Sequence, residues 1–449
     1  MGSVSAPEEM ALGFGGLVGD LTEVYESGRT RDLEWRLSQL RGLVRLLEEK
    51  EEDIFDVLRE DLGKHRGESF RDEVGVLKKS VVDKLQNLKN WAAPEKATQA
   101  HTPLVAFPAT ALVVPEPLGV VLIFSCWNLP LGLALEPLSG ALAAGNAVVV
   151  KPSELAPSTS AFLAANLPKY LDAKAVKVVE GGAEVGEKLM EHRWDKVLFT
   201  GSSRVGSLIM TKAAKHLTPV ALELGSKCPC IVDWLDSNRD SQSTLKRFFT
   251  KPEYMARILN EKHFKRLSDL LADKRVAASV VHGGHFNPKT LSVEPTLLLN
   301  PPLDSDIMTE EIFGPLLPII TVKKIEDSIR FLKSKPKPLA IYAFTRNEKL
   351  KSRIIEETSS GSVTFNDAIV QYGLDSIPFG GVGHSGFGQY HGKYSFDMFS
   401  HKKAVLKRSF LIEFMFRYPP WDDSKIGMLR RVYRFDYISL FFALIGLRR

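Results

Sequence analysis

The chain has 449 residues, 44% of them hydrophobic, which is long enough for two domains with cores of their own. The net charge of +5 is small and unevenly placed, with 11 Lys/Arg against 4 Asp/Glu from His401 onward; the basic character belongs to the tail, and no nucleic-acid partner is expected. Cys126, Cys228 and Cys230 are an odd number in a large chain, which excludes a disulfide framework and makes a reducing compartment the default.

The N-terminus, MGSVSAPEEM, lacks the apolar core of a signal peptide, and Ala6 stands where myristoylation needs Ser or Thr. Leu40, Leu43, Leu47, Ile54 and Leu58 then recur at helical spacing, and Gly63 stops the run. From Pro103 onward the pattern changes to short β-branched runs between Pro and Gly: ALVVPEPLGVVLIF, NAVVVKP, AVKVVEGG and DKVLFTG. Helical stretches such as SAFLAANLPKYL at 160–171 lie between them. Alternating strand and helix predict an α/β fold with a parallel, doubly wound sheet.

The fourth run leads into GSSRVG, Gly201 to Gly206, followed by a helical stretch, SLIMTKAAKHL. A strand, a glycine loop and a helix N-terminus make an anion site, because unpaired backbone N–H groups and the helix dipole favour negative charge there. A tight turn with no ligand would read the same way. The loop is not a P-loop, since Ser207 replaces the lysine, and it is not GxGxxG. Lys151 and Glu154, where NAVVVKPSE leaves its strand, suit the hydroxyls of an adenosine ribose at the carboxyl end of such a sheet. EEIFGP at 310–315 and PFGGVGHSGFG at 378–388 are glycine-punctuated loops with charged or aromatic residues, the kind that carry sites.

LGVVLIFSCWNLP, NAVVVKPSE, FTGSSRVG, LELGSK, EEIFGP and PFGGVGHSG stand in the order and spacing of the aldehyde dehydrogenase superfamily. The tail SHKKAVLKRSF…RYPPW resembles the class 3, fatty-aldehyde-oxidising branch, particularly its plant members. The resemblance covers nearly the whole chain. It implies NAD or NADP as cofactor, medium- or long-chain or lipid-derived aldehydes as substrates, a homodimer, and a cytoplasmic protein that can lie peripheral to an intracellular membrane. It implies three segments: N-terminal helices with a Rossmann-like cofactor domain (1–224), a catalytic domain (225–395), and an oligomerisation segment with the tail (396–449).

Carried over by position, Asn128 resembles the amide that donates to the oxyanion of a thiohemiacetal. Lys151 and Glu154 resemble the adenosine-ribose pair, and Ser202, between Gly201 and Gly206, resembles the serine that contacts the pyrophosphate. Glu311 and Phe313 match the residues that hold the nicotinamide ribose and ring. Glu223 matches the base that activates the deacylating water. In the family a thiolate attacks the aldehyde, hydride leaves for the nicotinamide and water hydrolyses the thioester. That thiol sits in a GQxC-type loop beyond the glutamate, and here the loop is missing: no cysteine follows Cys230, and the resemblance skips a segment near 247/248.

SKCPCIVD reads as the start of a buried strand that shows Cys228 and Cys230 on one face as structural residues. Cys126 is expected on the strand that presents Asn128, badly placed for attack. The chain is therefore expected to be either an aldehyde dehydrogenase or an impaired, cofactor-binding or subunit-pairing form of one. In the tail, Tyr437 to Leu447 is an uncharged run of 11 residues between arginines, shorter than the roughly 20 that span a bilayer. It reads either as a packed helix or as an interfacial anchor whose arginines meet anionic lipid.

Overall fold

The structure, a computed structural model, describes residues 13–97, 108–233 and 255–445. The expected junction at 247/248 lies outside the described residues. The chain divides into two compact units, one formed by residues up to 88 with 117–399, the other by residues 89–116 with those from 400 on.

The first unit opens with helices α1 (Gly15–Glu26), α2 (Leu33–Glu49) and α3 (Glu51–Leu62). The predicted stripe is real: Leu40, Leu43, Leu47, Ile54 and Leu58 are all essentially solvent-free. Asp32 caps α2 by accepting from the Trp35 N–H, and Gly63, at φ 68°, closes α3 in the left-handed conformation that glycine adopts without strain. Helix α4 (Gly75–Trp91) follows a short turn described below.

Five parallel strands come next: β1 (Val120–Phe124), β2 (Ala147–Lys151), β3 (Val176–Val178), β4 (Lys196–Gly201) and β5 (Val220–Leu224). Between them run α5 (Gly132–Ala144), α6 (Pro157–Tyr170), α7 (Ala183–Leu189) and α8 (Ser203–Ala214). With β12 (Gly386–Phe387) the sheet order is β12-β5-β4-β1-β2-β3, and β12 alone is antiparallel. Strands β1 and β2 are buried at every residue, as helix-covered parallel strands must be. The strand order doubles back beside β1, so the carboxyl ends of β1, β2 and β4 open on a crevice where ligands bind in such sheets.

The run ALVVPEPLGVVLIF is not one strand. It splits at Gly119, whose φ of 142° and closeness to Asp195 exclude a side chain: a Cβ would lie 2.0 Å from Asp195 Oδ2. Ala109–Pro117 pairs instead in a small sheet ordered 95–96, 109–117 and 400–408.

Beyond β5 lie two smaller sheets. In one, β6 (Cys230–Val232) is an edge strand beside β10 (Ala340–Phe344), which pairs in parallel with β11 (Ser362–Phe365). In the other, β8 (Thr296–Leu299) lies between β7 (Val280–His282) and β9 (Leu316–Ile319) and packs on α9 (Glu261–Leu270) through Leu267, Leu270, Leu298 and Leu316.

The second unit carries the tail. Helices Asp423–Tyr433 and Tyr437–Leu444 pack around Phe416, Val432 and Leu440. The last helix thus buries one face locally, while Ile438, Phe441, Phe442 and Leu444 remain exposed. No helix among the described residues is long and apolar enough to cross a membrane.

Candidate active site

Residues expected to act together converge on the carboxyl end of the large sheet. Ser202 caps α8, its hydroxyl accepting from the Val205 N–H at 3.4 Å; the first-turn N–H groups of a helix have no intrahelical partner, and the dipole there favours negative charge. Both loop glycines have packing reasons. A Cβ on Gly206 would meet Leu224 at 2.8 Å, so glycine lets α8 lie close on β5, and one on Gly201 would meet the Phe199 ring at 2.5 Å.

Lys151 ends β2 with its ammonium almost buried; it donates to Glu154 Oε2 at 2.9 Å and to the Pro152 carbonyl at 3.1 Å. Glu154 itself is open to solvent, so the pair offers one fixed cation and one reachable carboxylate.

Cys126, Trp127 and Asn128 lie in the turn between β1 and α5, not on the strand, because β1 ends at Phe124. The Trp127 ring meets Phe313 at 5.0 Å and His263, from α9, at 5.1 Å. Phe313 is held at φ 50°, a left-handed conformation that a bulky residue adopts only under constraint. Two residues before it, Glu311 accepts from the Ser226 N–H and fills the space over Gly225, where a Cβ would lie 2.0 Å from its Oε2. Burial raises the Glu311 carboxyl above its ordinary range.

Glu223 lies on β5 with 6% of its surface exposed, and Oε2 has no hydrogen-bond partner among the described residues. Desolvation pushes its carboxyl well above the ordinary range, which keeps it protonated where a free glutamate would be ionised. The wall over it is glycine. Gly386 pairs with Glu223 across β12 and β5, and a Cβ on Gly380 would stand 3.2 Å from Glu223 Oε1.

The thiols are placed differently from expectation. Cys228 and Cys230 are exposed, not buried: the strand begins only at Cys230, so Cys228 lies before it, and β6 is a three-residue edge strand whose single covered residue is Ile231. Partial burial still raises the Cys230 thiol. Cys126 is half-covered; desolvation raises its thiol first, the backbone N–H groups of Trp127 and Asn128 pull the other way, and the charges of Glu311 and Glu154 add to the rise. That coupling also places the 126–128 turn, Glu154 and Glu311 in one neighbourhood.

Three residues escaped the sequence reading. Lys227 donates to the carbonyls of Ile307 and Glu310, both at 2.7 Å, and so ties the loop before Glu311 to the end of β5; burial lowers it to about 8. Its place in LELGSK, among apolar and glycine residues, is a signal that could have found it. Lys64 and Glu73 form a buried ion pair beneath the 126–128 turn. Nothing in the sequence joins those two positions.

A glycine-bounded helix N-terminus, the Lys151–Glu154 ion pair and the buried Glu223 all stand at the carboxyl end of one parallel sheet, where doubly wound sheets bind their ligands. Residues 22–252 and 249–405 match the Aldehyde dehydrogenase family, and the chain belongs to that family, oxidoreductases that act on aldehydes with NAD or NADP. Aldehyde dehydrogenase family 3 member F1 of Arabidopsis thaliana is 47% identical over 474 residues, covering 96% of this chain and 97% of that protein. Family 3 member A2 of Rattus norvegicus is 42% identical, covering 91% of each. Among solved structures, a substrate-bound AldH of Staphylococcus aureus superposes with a TM-score of 0.85 at 35% identity, over 94% of this chain and 98% of that one. GapN of Methanocaldococcus jannaschii, complexed with NADP, gives 0.76 at 22% identity over 91% and 96%, a likeness that bears on the fold alone.

Proposed function

We propose that this chain keeps the cofactor-binding half of a class 3-type aldehyde dehydrogenase and lacks its thiol, so that it binds NAD or NADP and oxidises aldehydes poorly. The observation that carries the reading is the cysteine inventory. No cysteine follows Cys230, two of the three thiols are raised rather than lowered, and Cys230 lies on a sheet separate from Glu223, with Cys228 in the segment that leads to it. The family match also comes in two pieces that meet at 249–252, and an alignment of 474 positions is longer than this 449-residue chain. Both support the loss of an internal segment near 247/248.

In this reading the first turn of α8, with Ser202 between Gly201 and Gly206, takes the pyrophosphate. Lys151 and Glu154 take the adenosine ribose, and Glu311 with Phe313 positions the nicotinamide end. When bound, the nicotinamide supplies a hydride acceptor for the aldehyde carbon. Asn128 donates to the developing oxyanion, a half-site without the nucleophile's own N–H, and Glu223 is the base for water. We keep the division into a cofactor segment (1–224), a catalytic segment (225–395) and an oligomerisation and tail segment (396–449).

Calorimetry tests the cofactor half. The folded chain should bind NAD, and bind it better than NADP, whose 2′-phosphate would meet Glu154. Gly225→Ala, whose new methyl would displace the Glu311 carboxylate, should weaken binding by about tenfold, the cost of about 1.4 kcal/mol of lost contact. A folded chain that binds neither nucleotide would refute the reading.

The substrates we assign are medium- to long-chain or lipid-derived aldehydes, with a homodimer as the assembly. The exposed face of the last helix, with Ile438, Phe441 and Phe442 beside Arg430, Arg431 and Arg434, suits a peripheral contact with an anionic membrane. Co-sedimentation with anionic liposomes should fall when residues 437–449 are removed; unchanged binding would exclude the contact.

A further inference from the structure

We infer that the buried pair Lys64 and Glu73 is a positioning clamp for the turn that carries Asn128. The role given to Asn128 is that of the reading above. Both side chains are nearly free of solvent, at 5% and 0% exposure, and their charged atoms are 2.6 Å apart. A buried ion pair adds little stability over apolar side chains, so its presence calls for another reason, and here the reason is what each partner does with its remaining hydrogen-bonding capacity.

Lys64 donates a second bond, 2.9 Å, to the Asn128 carbonyl. Glu73 uses its other oxygen to accept from the N–H groups of Leu131 and Gly132, each at 2.9 Å. Those are the opening donors of α5, whose N-cap residue, Leu131, has no side chain able to cap. A carboxylate there also meets the positive end of the helix dipole. The pair thus grips the turn at both ends, at the carbonyl of Asn128 and at the first N–H groups of α5.

The clamp is set by a local irregularity. Over Phe70–Val74 the helix widens so that the Gly75 N–H bonds to the Phe70 carbonyl five residues back, and this turns Glu73 inward. With its own peptide held, Asn128 has little left to vary except its side-chain torsions. Trp127 is held in the same stroke against Phe313 and His263.

Cys126 reports on the turn without any catalysis. In a Cys228→Ser/Cys230→Ser background it is the one thiol left, half-covered and raised by burial. Freeing the turn should expose it and bring the thiol down toward its ordinary value, and both effects speed alkylation. Glu73→Gln and Lys64→Met should accelerate reaction of Cys126 with iodoacetamide by about tenfold, the scale of a local opening made an order of magnitude easier. Lys64→Arg, which keeps charge and donors, should restore the parental rate. A second buried pair among the described residues, Lys84 with Glu136 at 2.8 Å, touches α4 and α5 away from the turn. Lys84→Met should therefore lower thermal stability yet leave the Cys126 rate alone.

If Cys126 reacts at the parental rate in a folded Glu73→Gln or Lys64→Met chain, or if Lys84→Met speeds it equally, the clamp is refuted. Should Glu73→Gln not fold, Lys64→Met with its arginine rescue decides alone. Whether Asn128 serves an oxyanion is a separate measurement, made on turnover.

Discussion

Inserting the GQxC-containing segment of an intact class 3 relative between Arg247 and Phe248 should turn a chain with background activity into a working aldehyde dehydrogenase. Loss of a covalent nucleophile in a well-studied protease costs on the order of 10⁶-fold in kcat, and that sets the size of the gain. An aldehyde needs a tetrahedral adduct before hydride can leave. In the chain as it stands, Glu223 would have to make that adduct from water, starting as a protonated acid and with Asn128 as the single oxyanion donor. Aldehyde-dependent NADH formation should accordingly be near background, and Glu223→Gln should not alter it. In the grafted chain the same substitution should abolish turnover. Ordinary turnover of a medium-chain aldehyde by the ungrafted chain, lost on Cys126→Ser or Cys228→Ser, would overturn the assignment of these thiols as non-catalytic.

Glu223→Gln should also stabilise the ungrafted chain, and by more at higher pH. Below the unfolded-state pKa, roughly 4.3, the carboxyl is protonated in both states and contributes no pH dependence. As pH rises from there toward the folded value, the unfolded chain has released a proton that the folded chain still holds. Stability therefore falls through that window and levels off once the folded carboxyl ionises too. Each tenfold excess in folded-state proton affinity corresponds to about 1.4 kcal/mol. Glutamine imitates the neutral form and never enters this window. The difference in melting temperature between variant and parent should be near zero at pH 4 and grow in the variant's favour as pH rises through that window. A pH-independent difference would mean that Glu223 is not held protonated by its surroundings.

Most of the frame could be read from the chain because it is local. Pro, Gly and β-branched runs mark β2, β3 and β4, and the step from Gly201 into α8 is visible in ten residues. The break of the first run at Gly119 was less visible, since it depends on Asp195 lying against that glycine from 76 positions away. The same holds for the thiols. Period-two alternation placed Cys228 and Cys230 on one face of a buried strand, but the strand begins only at Cys230, and an edge strand of three residues is covered on one side only. Lys64 and Glu73 were invisible for a third reason. Lys64 lies in the short link after Gly63 closes α3 and Glu73 in the widened turn that follows, so no single helical spacing relates the two.

That widened turn also bears on what changes the chain can tolerate. Five residues fill the place of a regular turn over Phe70–Val74, so removing one would restore an ordinary α-helix and improve its local geometry. Every side chain on one side of the cut would then rotate by about 100° relative to the other, and Glu73 would leave its two helix N–H partners for the surface. A one-residue deletion here would be kind to the helix and costly to the loop it supports. Length variation in this helix should be tolerated only where the Asn128 turn no longer has work to do.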